Sequence, residues 1–329
     1  MPEVETLPAF DQPQITLAKE LLAARVATML GRKMEEDDWS FVYCNAKRIP
    51  DTGWSNLDID VAHDGLGVEH KMLKDVKAGT ILNRCGTRPM HPAGTRSIRP
   101  RTDLPADAAA RDVLEQYAEI IEQRSNKVRA TSGNGSVDMR FGWLIWKERL
   151  DEFLYFEEPM LPPNPDNYFA EWVENKGGGA RKSSRNLWIF ERDTGQKAYS
   201  VTTVAGAKIQ PYFQVPTPRD ENLYYFVVQG VQGPHGLVEV WLTKSTAKYL
   251  ELLLGDLTSD SLSRAILEYE PETDHEDHEE SEGIFTRPRD IAVPIKISKD
   301  AYRKLNSLFD PVSDEYLFQQ LAISLGSAS

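Results

Sequence analysis

Three charged residues around a predicted turn are the part of this sequence best suited to chemistry. Asp60 precedes a turn at residues 63–65, and Glu69 and Lys71 follow it, two positions apart. Side chains two positions apart on a β-strand point to the same face, so Glu69 and Lys71 should lie side by side. If the chain folds back at the turn as a hairpin, an aspartate of the first strand can lie beside Glu69.

Such a group of charges predicts a site for a divalent cation. Two carboxylates at one point repel each other unless a cation holds them, and their hard oxygen ligands suit Mg²⁺, with Mn²⁺ as a substitute. The ammonium of Lys71 would then orient or deprotonate a water, or stabilise the charge that grows on a phosphate. Asp58 and Asp60 share a face of the first strand, so either can be the partner of Glu69, and we favour Asp60.

The residues between these charges are apolar and alternate with them. This alternation predicts two half-buried strands, and burying the charges of the other face without a ligand would be costly. The alternative is a solvated sheet face whose charges do no chemistry. His70 points to the opposite side of the strand, where we expect it to pack rather than to act as a base. The apolar positions are Leu57, Ile59, Val61, Val68 and Met72.

The order Asp…Glu-x-Lys on a hairpin resembles the PD-(D/E)xK nuclease superfamily, which includes type II restriction endonucleases and Holliday-junction resolvases. The resemblance is close from Leu57 to Lys71 and extends to the order of elements over residues 11–150. It implies that the aspartate and Glu69 bind the metal, and that Lys71 acts on the attacking water. The N-terminal helix sometimes adds a glutamate in this family, and Glu20 is the candidate here. The proline before the aspartate is absent.

Two basic segments are candidates for contact with DNA. The first is an Arg-rich loop directly after the predicted site, and the second surrounds the three glycines at residues 177–179. Arginine forks match phosphates and the guanine edge, and cations with backbone amides can contact a phosphate backbone. The alternatives are a solvated loop and a flexible tether. The basic residues are Arg84, Arg88, Arg96, Arg99 and Arg101 in the first segment, and Lys176, Arg181, Lys182 and Arg185 in the second.

The resemblance therefore predicts a Mg²⁺-dependent endonuclease that hydrolyses double-stranded DNA, most simply a sequence-specific type II restriction endonuclease. Cutting both strands of a symmetric site calls for two active sites, so we expect a homodimer. No nucleotide cofactor is expected, because the chain has no ATPase or helicase motif. One alternative is a nuclease directed by DNA structure or modification, in repair or phage defence. Another is a non-catalytic binding or adaptor protein on a degenerate nuclease scaffold.

The elements that must position these residues predict an α/β (α+β) fold. The resemblance implies a restriction-endonuclease-like core with a central mixed β-sheet flanked by helices, and the strand-rich pattern of the later segments predicts a β-rich C-terminal half. Residues 1–150 would form the nuclease core, and residues 151–329 would complete the sheet and add DNA recognition, without a clean linker. A polar stretch with Trp39, Phe41 and Tyr43 follows the first helix. Helices are predicted over residues 11–33, 104–123, 246–254 and 299–308, and the hairpin strands over 56–62 and 66–73.

Composition excludes several other classes of protein. The net charge of −13 does not exclude a nucleic-acid partner, because nine acidic residues lie in the segment 268–282; the rest of the chain has 42 acidic against 38 basic residues. No apolar run reaches the roughly 18 residues that a membrane span needs. Cys44 and Cys85 cannot form a disulfide framework or a four-cysteine zinc site. The sequence thus predicts a cytoplasmic protein with no membrane partner.

Overall fold

The computed structural model describes residues 5–29, 32–50, 59–92, 98–175, 184–203, 207–270, 291–309 and 312–327. The fold is mixed α+β, with a mixed central sheet flanked by helices and a β-rich C-terminal half. Within the described residues, no helix combines the length and the apolar character needed to cross a bilayer. The helices are α1 (Gln12–Ala27), α2 (Glu36–Lys47), α3 (Ala106–Arg129), α4 (Lys244–Leu254), α5 (Ser259–Glu268), α6 (Lys299–Leu308) and α7 (Asp314–Ser327).

The strands form three sheets. The central sheet has the order β1-β2-β3-β4-β9, and the other two have the orders β5-β6-β7-β8 and β10-β11-β12. The strands are β1 (Val61–His63), β2 (Leu66–Asp75), β3 (Asp138–Lys147), β4 (Glu152–Pro159), β5 (Tyr168–Asn175), β6 (Ser184–Glu191), β7 (Lys197–Thr202), β8 (Lys208–Pro211), β9 (Tyr224–Val227), β10 (Val231–Gln232), β11 (Leu237–Thr243) and β12 (Ala292–Ser298).

One parallel pair of strands organises the central sheet. β2 pairs with β3 in parallel, while the β1–β2, β3–β4 and β4–β9 pairs are antiparallel. A parallel pair needs a crossover connection, and α3 lies in that connection between β2 and β3. β4 and β9, which lie within residues 151–329, extend the sheet beyond β3.

Different layers cover the two faces of the central sheet. Val68 of β2 packs with side chains of α1 and α2 on one face. Phe141 of β3 packs with side chains of α3 and of the β5–β8 sheet on the other face. A separate cluster joins the β10–β12 sheet to α4, α5, α6 and α7. The charged face of the hairpin is therefore the face that α3 covers.

The polar stretch after α1 is a helix, which the composition of this segment did not predict. Trp39 and Tyr43 of α2 are fully buried, whereas Phe41 between them is exposed. Asp38 is buried as well, because Arg25 and Arg32 bind its carboxylate at 2.7 and 2.6 Å. An acidic residue on the buried side hides the apolar periodicity from which a helix is usually recognised.

Candidate active site

The predicted hairpin is present, and its turn has the backbone geometry of a tight two-residue loop. Val61 pairs with Val68, and the turn residues Asp64 and Gly65 have φ angles of 45° and 82°. Glycine adopts such angles at no steric cost, and aspartate tolerates them better than most residues. The amide of Gly65 also donates to Oγ1 of Thr131 at 3.1 Å, which ties the turn to the segment that follows α3.

Glu69 and Lys71 lie side by side on β2, as their spacing predicts. Nζ of Lys71 is 2.6 Å from Oε1 of Glu69. The Glu69 side chain is 10% exposed and that of Lys71 is 17% exposed, so both charged groups lie largely out of contact with water. An ion pair at this depth interacts more strongly than one on the surface, since solvent screens it less.

Asp60, the residue directly before β1, interacts electrostatically with this pair. Asp60 is exposed as a residue, and Oδ2 of its carboxylate accepts a hydrogen bond of 2.6 Å from the backbone N–H of His70. Loss of hydration around this carboxylate, followed by the negative charge of Glu69, raises the pKa of Asp60 to about 7. Lys71 and the His70 amide act in the opposite direction. Asp60 and Glu69 therefore form one electrostatic group.

The charge of another carboxylate, Glu36 of α2, also acts on Asp60. The charge of Glu36, in the first turn of α2, also raises the pKa of Asp60. Glu20 is an exposed residue of α1, which packs on α2, β9, β11 and β12. The signal for Glu36 was the run of four acidic residues at positions 35–38, which is typical of a helix N-terminus.

Arg124 of α3 is a second cation beside Glu69 that the sequence did not indicate. Its Nη1 is 3.5 Å from Oε1 of Glu69, and its side chain is 14% exposed. Tyr117 lies two turns earlier on α3 and is buried. Burial and the charge of Glu69 raise the pKa of the Tyr117 hydroxyl, while Arg124 lowers it. No local sequence pattern connects α3 to the hairpin, so only the fold brings these residues together.

Glu158 extends the charged face across the sheet. Glu69 pairs with Phe141, and Phe141 pairs with Glu158, so the three side chains lie in one row. Oε1 of Glu158 accepts a hydrogen bond of 2.8 Å from Nε1 of Trp143. Burial raises the pKa of Glu158 to about 7, while Trp143 and the charge of Arg88 lower it. A carboxyl group that gains and loses its proton near neutral pH is thus two strands from Glu69.

The donor set at the hairpin fits a hard divalent cation. Magnesium in proteins commonly takes one or two carboxylates and keeps several waters, and Asp60 with Glu69 supplies two carboxylates. A cation between them would also relieve the repulsion that raises the pKa of Asp60. In the part of the chain that the structure describes, no three His, Cys, Asp or Glu side chains are grouped to hold a metal ion. Asp58, the alternative ligand, lies outside that part.

His70 packs on the face of β2 opposite to Glu69. It is completely buried, with its ring 5.0 Å from that of Tyr43, and its Nδ1 is 3.2 Å from Oγ of Ser40. Burial, followed by the charge of Lys71, lowers the pKa of His70 to about 3. The imidazole is therefore neutral, and it supports the sheet instead of serving the site.

The described arginines of the first basic segment divide into two groups. Nε of Arg84 donates to Oδ1 of Asp75 at 2.7 Å, and Nη1 of Arg88 donates to Gln196 at 2.7 Å, while its Nη2 pairs with Glu191. These two guanidinium groups hold the loop to the protein. Arg99 and Arg101 are exposed. Arg96 lies outside the described residues.

Arg185 is the described member of the second basic segment. Its guanidinium carbon lies 4.3 Å above the ring centre of Trp172, and the residue is exposed at the start of β6. Lys176, Arg181 and Lys182 lie outside the described residues. Of this segment, the structure therefore places one arginine on the surface of the β5–β8 sheet.

Comparisons with protein-family models, with curated proteins and with solved structures found no match for this chain. The functional argument therefore depends on the geometry of the hairpin and on the groups that α2 and α3 place around it.

Proposed function

We propose that this chain is a Mg²⁺-dependent endonuclease that hydrolyses phosphodiester bonds of double-stranded DNA. The observation that carries the proposal is the convergence of Asp60, Glu69 and Lys71 on one hairpin. Lys71 is 2.6 Å from Glu69, and the charge of Glu69 acts on Asp60. Two carboxylates can hold a divalent cation, and an amine beside them can stabilise charge on a phosphate, so this group of residues suits metal-assisted hydrolysis of a phosphate ester.

The topology supports a restriction-endonuclease-like core. The chain runs from α1 and α2 through the β1–β2 hairpin, crosses through α3, and returns as β3 parallel to β2. Apart from α2, this is the order of elements over residues 11–150 to which the PD-(D/E)xK resemblance extends. Glu69 and Lys71 lie on β2, which is the hairpin strand that pairs with β3.

Each residue of the site has a distinct chemical task in this proposal. A bound divalent cation would polarise the phosphate and lower the pKa of a water. Asp60 and Glu69 would hold that cation through carboxylate oxygens. Lys71 is held against Glu69 and would orient the attacking water or stabilise charge on the phosphate. The amide of His70 donates a hydrogen bond to the carboxylate of Asp60 and so orients this ligand.

A sequence-specific type II restriction endonuclease is the role we propose for this activity. The β5–β8 and β10–β12 sheets lie outside the central sheet and provide structure that catalysis does not need. Those sheets and the exposed arginines Arg99, Arg101 and Arg185 would contact DNA. A homodimer would place one active site on each strand of a symmetric target.

The test is cleavage of phage or plasmid DNA with Mg²⁺ by the wild type and four variants. Glu69→Gln and Lys71→Met remove the proposed ligand and amine. Glu148→Gln and Lys74→Met are matched controls, because Lys74 lies on the same strand and pairs with Glu148 at the surface. We expect cutting by the wild type and both controls, and none by the site variants. Equal cutting by all five proteins would show that Glu69 and Lys71 are not needed for cleavage and would overturn the proposed site.

The products distinguish the proposed role from its alternatives. Discrete fragments with uniform ends support a sequence-specific restriction endonuclease. Cleavage of branched or modified DNA alone would instead indicate a nuclease directed by structure or modification. DNA binding without cleavage in Mg²⁺ or Mn²⁺ would indicate a non-catalytic binding protein and would overturn the proposal.

A further inference from the structure

Arg124 is a largely buried cation with few partners for its hydrogen-bond donors. A guanidinium group carries five N–H donors in a rigid plane. The separation of 3.5 Å between Nη1 of Arg124 and Oε1 of Glu69 exceeds the 2.7–3.2 Å range typical of N–H···O hydrogen bonds. Nε of Arg124 is buried and has no hydrogen-bond partner within the described residues. Buried polar groups are nearly always satisfied, so this arrangement needs an explanation.

The carboxylate nearest to Arg124 is already engaged by another cation. Lys71 contacts the same Oε1 of Glu69 at 2.6 Å, which is much shorter than the separation from Arg124. In the proposed function, Glu69 would also be a ligand of the divalent cation. The ammonium of Lys71 and the cation would then satisfy Glu69, and the guanidinium of Arg124 would face the site with its donors available.

We propose that Arg124 binds the phosphate group on which the site acts. This inference rests on the proposed function and adds a phosphate-binding residue to it. An arginine fork matches two oxygens of a phosphate at once, which a lysine cannot do. Arg124 reaches the site from α3, so the crossover helix contributes to substrate binding as well as to the fold.

A purely structural role for Arg124 makes a different prediction. If Arg124 serves only to balance the charge of Glu69, then a lysine at this position keeps that function, because it keeps the charge. If Arg124 grips a phosphate through its planar fork, then lysine is a poor substitute. Comparing Arg124→Lys with Arg124→Gln therefore separates the two roles.

The experiment uses the full chain and a DNA duplex that the wild type cuts. Arg124→Lys and Arg124→Gln are compared with Arg129→Lys and Arg129→Gln, since Arg129 is exposed at the end of the same helix. Single-turnover cleavage is measured in Mg²⁺. Binding of the same duplex is measured in Ca²⁺ over a range of salt concentrations. Thermal unfolding midpoints identify any variant that does not fold.

We expect Arg124→Gln to slow cleavage by about 100-fold, and Arg124→Lys to recover little of that loss. The slope of log affinity against log salt should fall by about one in Arg124→Gln, because one phosphate contact is lost. Both Arg129 variants should behave as the wild type does. If Arg124→Gln does not fold, the cleavage rate of Arg124→Lys relative to the wild type alone distinguishes phosphate binding from charge balance.

Two outcomes would overturn the inference in distinguishable ways. If the wild type cuts DNA and Arg124→Lys cuts equally fast with the same salt slope, then Arg124 balances charge only, and the proposed function stands. If the wild type neither cuts nor binds DNA, then the proposed function fails, and the role of Arg124 fails with it.

Discussion

The backbone N–H of His70 donates a hydrogen bond of 2.6 Å to Oδ2 of Asp60. His70 stands between Glu69 and Lys71 on β2, so this short segment holds Asp60 through its backbone and presents Glu69 and Lys71 through its side chains. The imidazole of His70 packs on the other face of the sheet, against the rings of Trp39, Tyr43 and Tyr155. The packing of that face therefore fixes the position of Asp60 relative to Glu69.

Asp60 should make the metal-free protein less stable as the pH rises. Its pKa is about 7 in the folded chain and 3.8 for an ordinary aspartate, so the folded state binds the proton more tightly. Raising the pH from 5 to 8 removes that proton and places a negative charge beside Glu69, which lowers the free energy of unfolding. We expect Asp60→Asn to lose less stability over this range than the wild type.

The measurement is the thermal unfolding midpoint in EDTA at pH 5 and pH 8. Asp64→Asn is the matched control, because Asp64 is an exposed aspartate in the turn of the same hairpin. Addition of Mg²⁺ at pH 8 should raise the midpoint of the wild type and of Asp64→Asn, but not that of Asp60→Asn. If the unfolding midpoint of the wild type does not change when Mg²⁺ is added, the assignment of Asp60 as a ligand is contradicted.

His70 should destabilise the protein on the acid side of neutral pH. Its pKa is about 3 when folded and 6.5 for an ordinary histidine, so the unfolded chain takes up the proton first. Acidification from pH 7.5 to pH 5 should cost about 2 kcal/mol through this residue. We expect His70→Phe to lose correspondingly less stability over this range. Imidazole NMR signals of His70 that titrate near pH 6.5 would show that the side chain is not buried as described.

Gly142 should be intolerant of any side chain, because it lies next to His70 on β3. A Cβ atom at this position would be 2.8 Å from Cδ2 of His70 and would also collide with the hydroxyl of Tyr155. We expect Gly142→Ala to lower the free energy of unfolding by about 2 kcal/mol and to reduce DNA cleavage, since His70 must move. Gly133→Ala is the control, because a Cβ there meets nothing within 4 Å.

Denaturant unfolding and cleavage rates measure both effects. If Gly142→Ala is as stable and as active as Gly133→Ala, then the packing around His70 does not determine the geometry of Asp60.

The hairpin was predictable because its information is local. Alternation of apolar and charged residues places Glu69 and Lys71 on one face and His70 on the other, and the structure confirms this arrangement. The predicted second strand, over residues 66–73, falls within β2. The helix predicted over 299–308 coincides with α6.

The surroundings of the hairpin were not predictable, because they come from distant segments. Arg124 is separated from Glu69 by the connection to α3, and its spacing carries no signal of that contact. Glu36 lies in an acidic run that is typical of a helix N-terminus, but nothing in that run indicates that the helix packs against β2. Sequence reasoning places residues on faces of an element, but it does not say which faces meet.

The Arg-rich loop should divide into structural and DNA-binding arginines. Asp75 is buried and is held by Nε of Arg84 at 2.7 Å and by Nζ of Lys147 at 2.8 Å. Removing Arg84 leaves this carboxylate poorly paired, so Arg84→Ala should lower the free energy of unfolding by about 3 kcal/mol. Arg99 is exposed, and Arg99→Ala should leave stability unchanged.

DNA binding in Ca²⁺ should show the reverse pattern. Arg99→Ala should reduce the slope of log affinity against log salt by about one, because it removes a phosphate contact. Arg84→Ala, measured below its unfolding midpoint, should keep the wild-type slope. Equal changes of slope in both variants would mean that the whole loop moves onto DNA, and that the pair between Arg84 and Asp75 opens when the substrate binds. If the slope is unchanged in both variants, then Arg84 and Arg99 do not contact DNA phosphates.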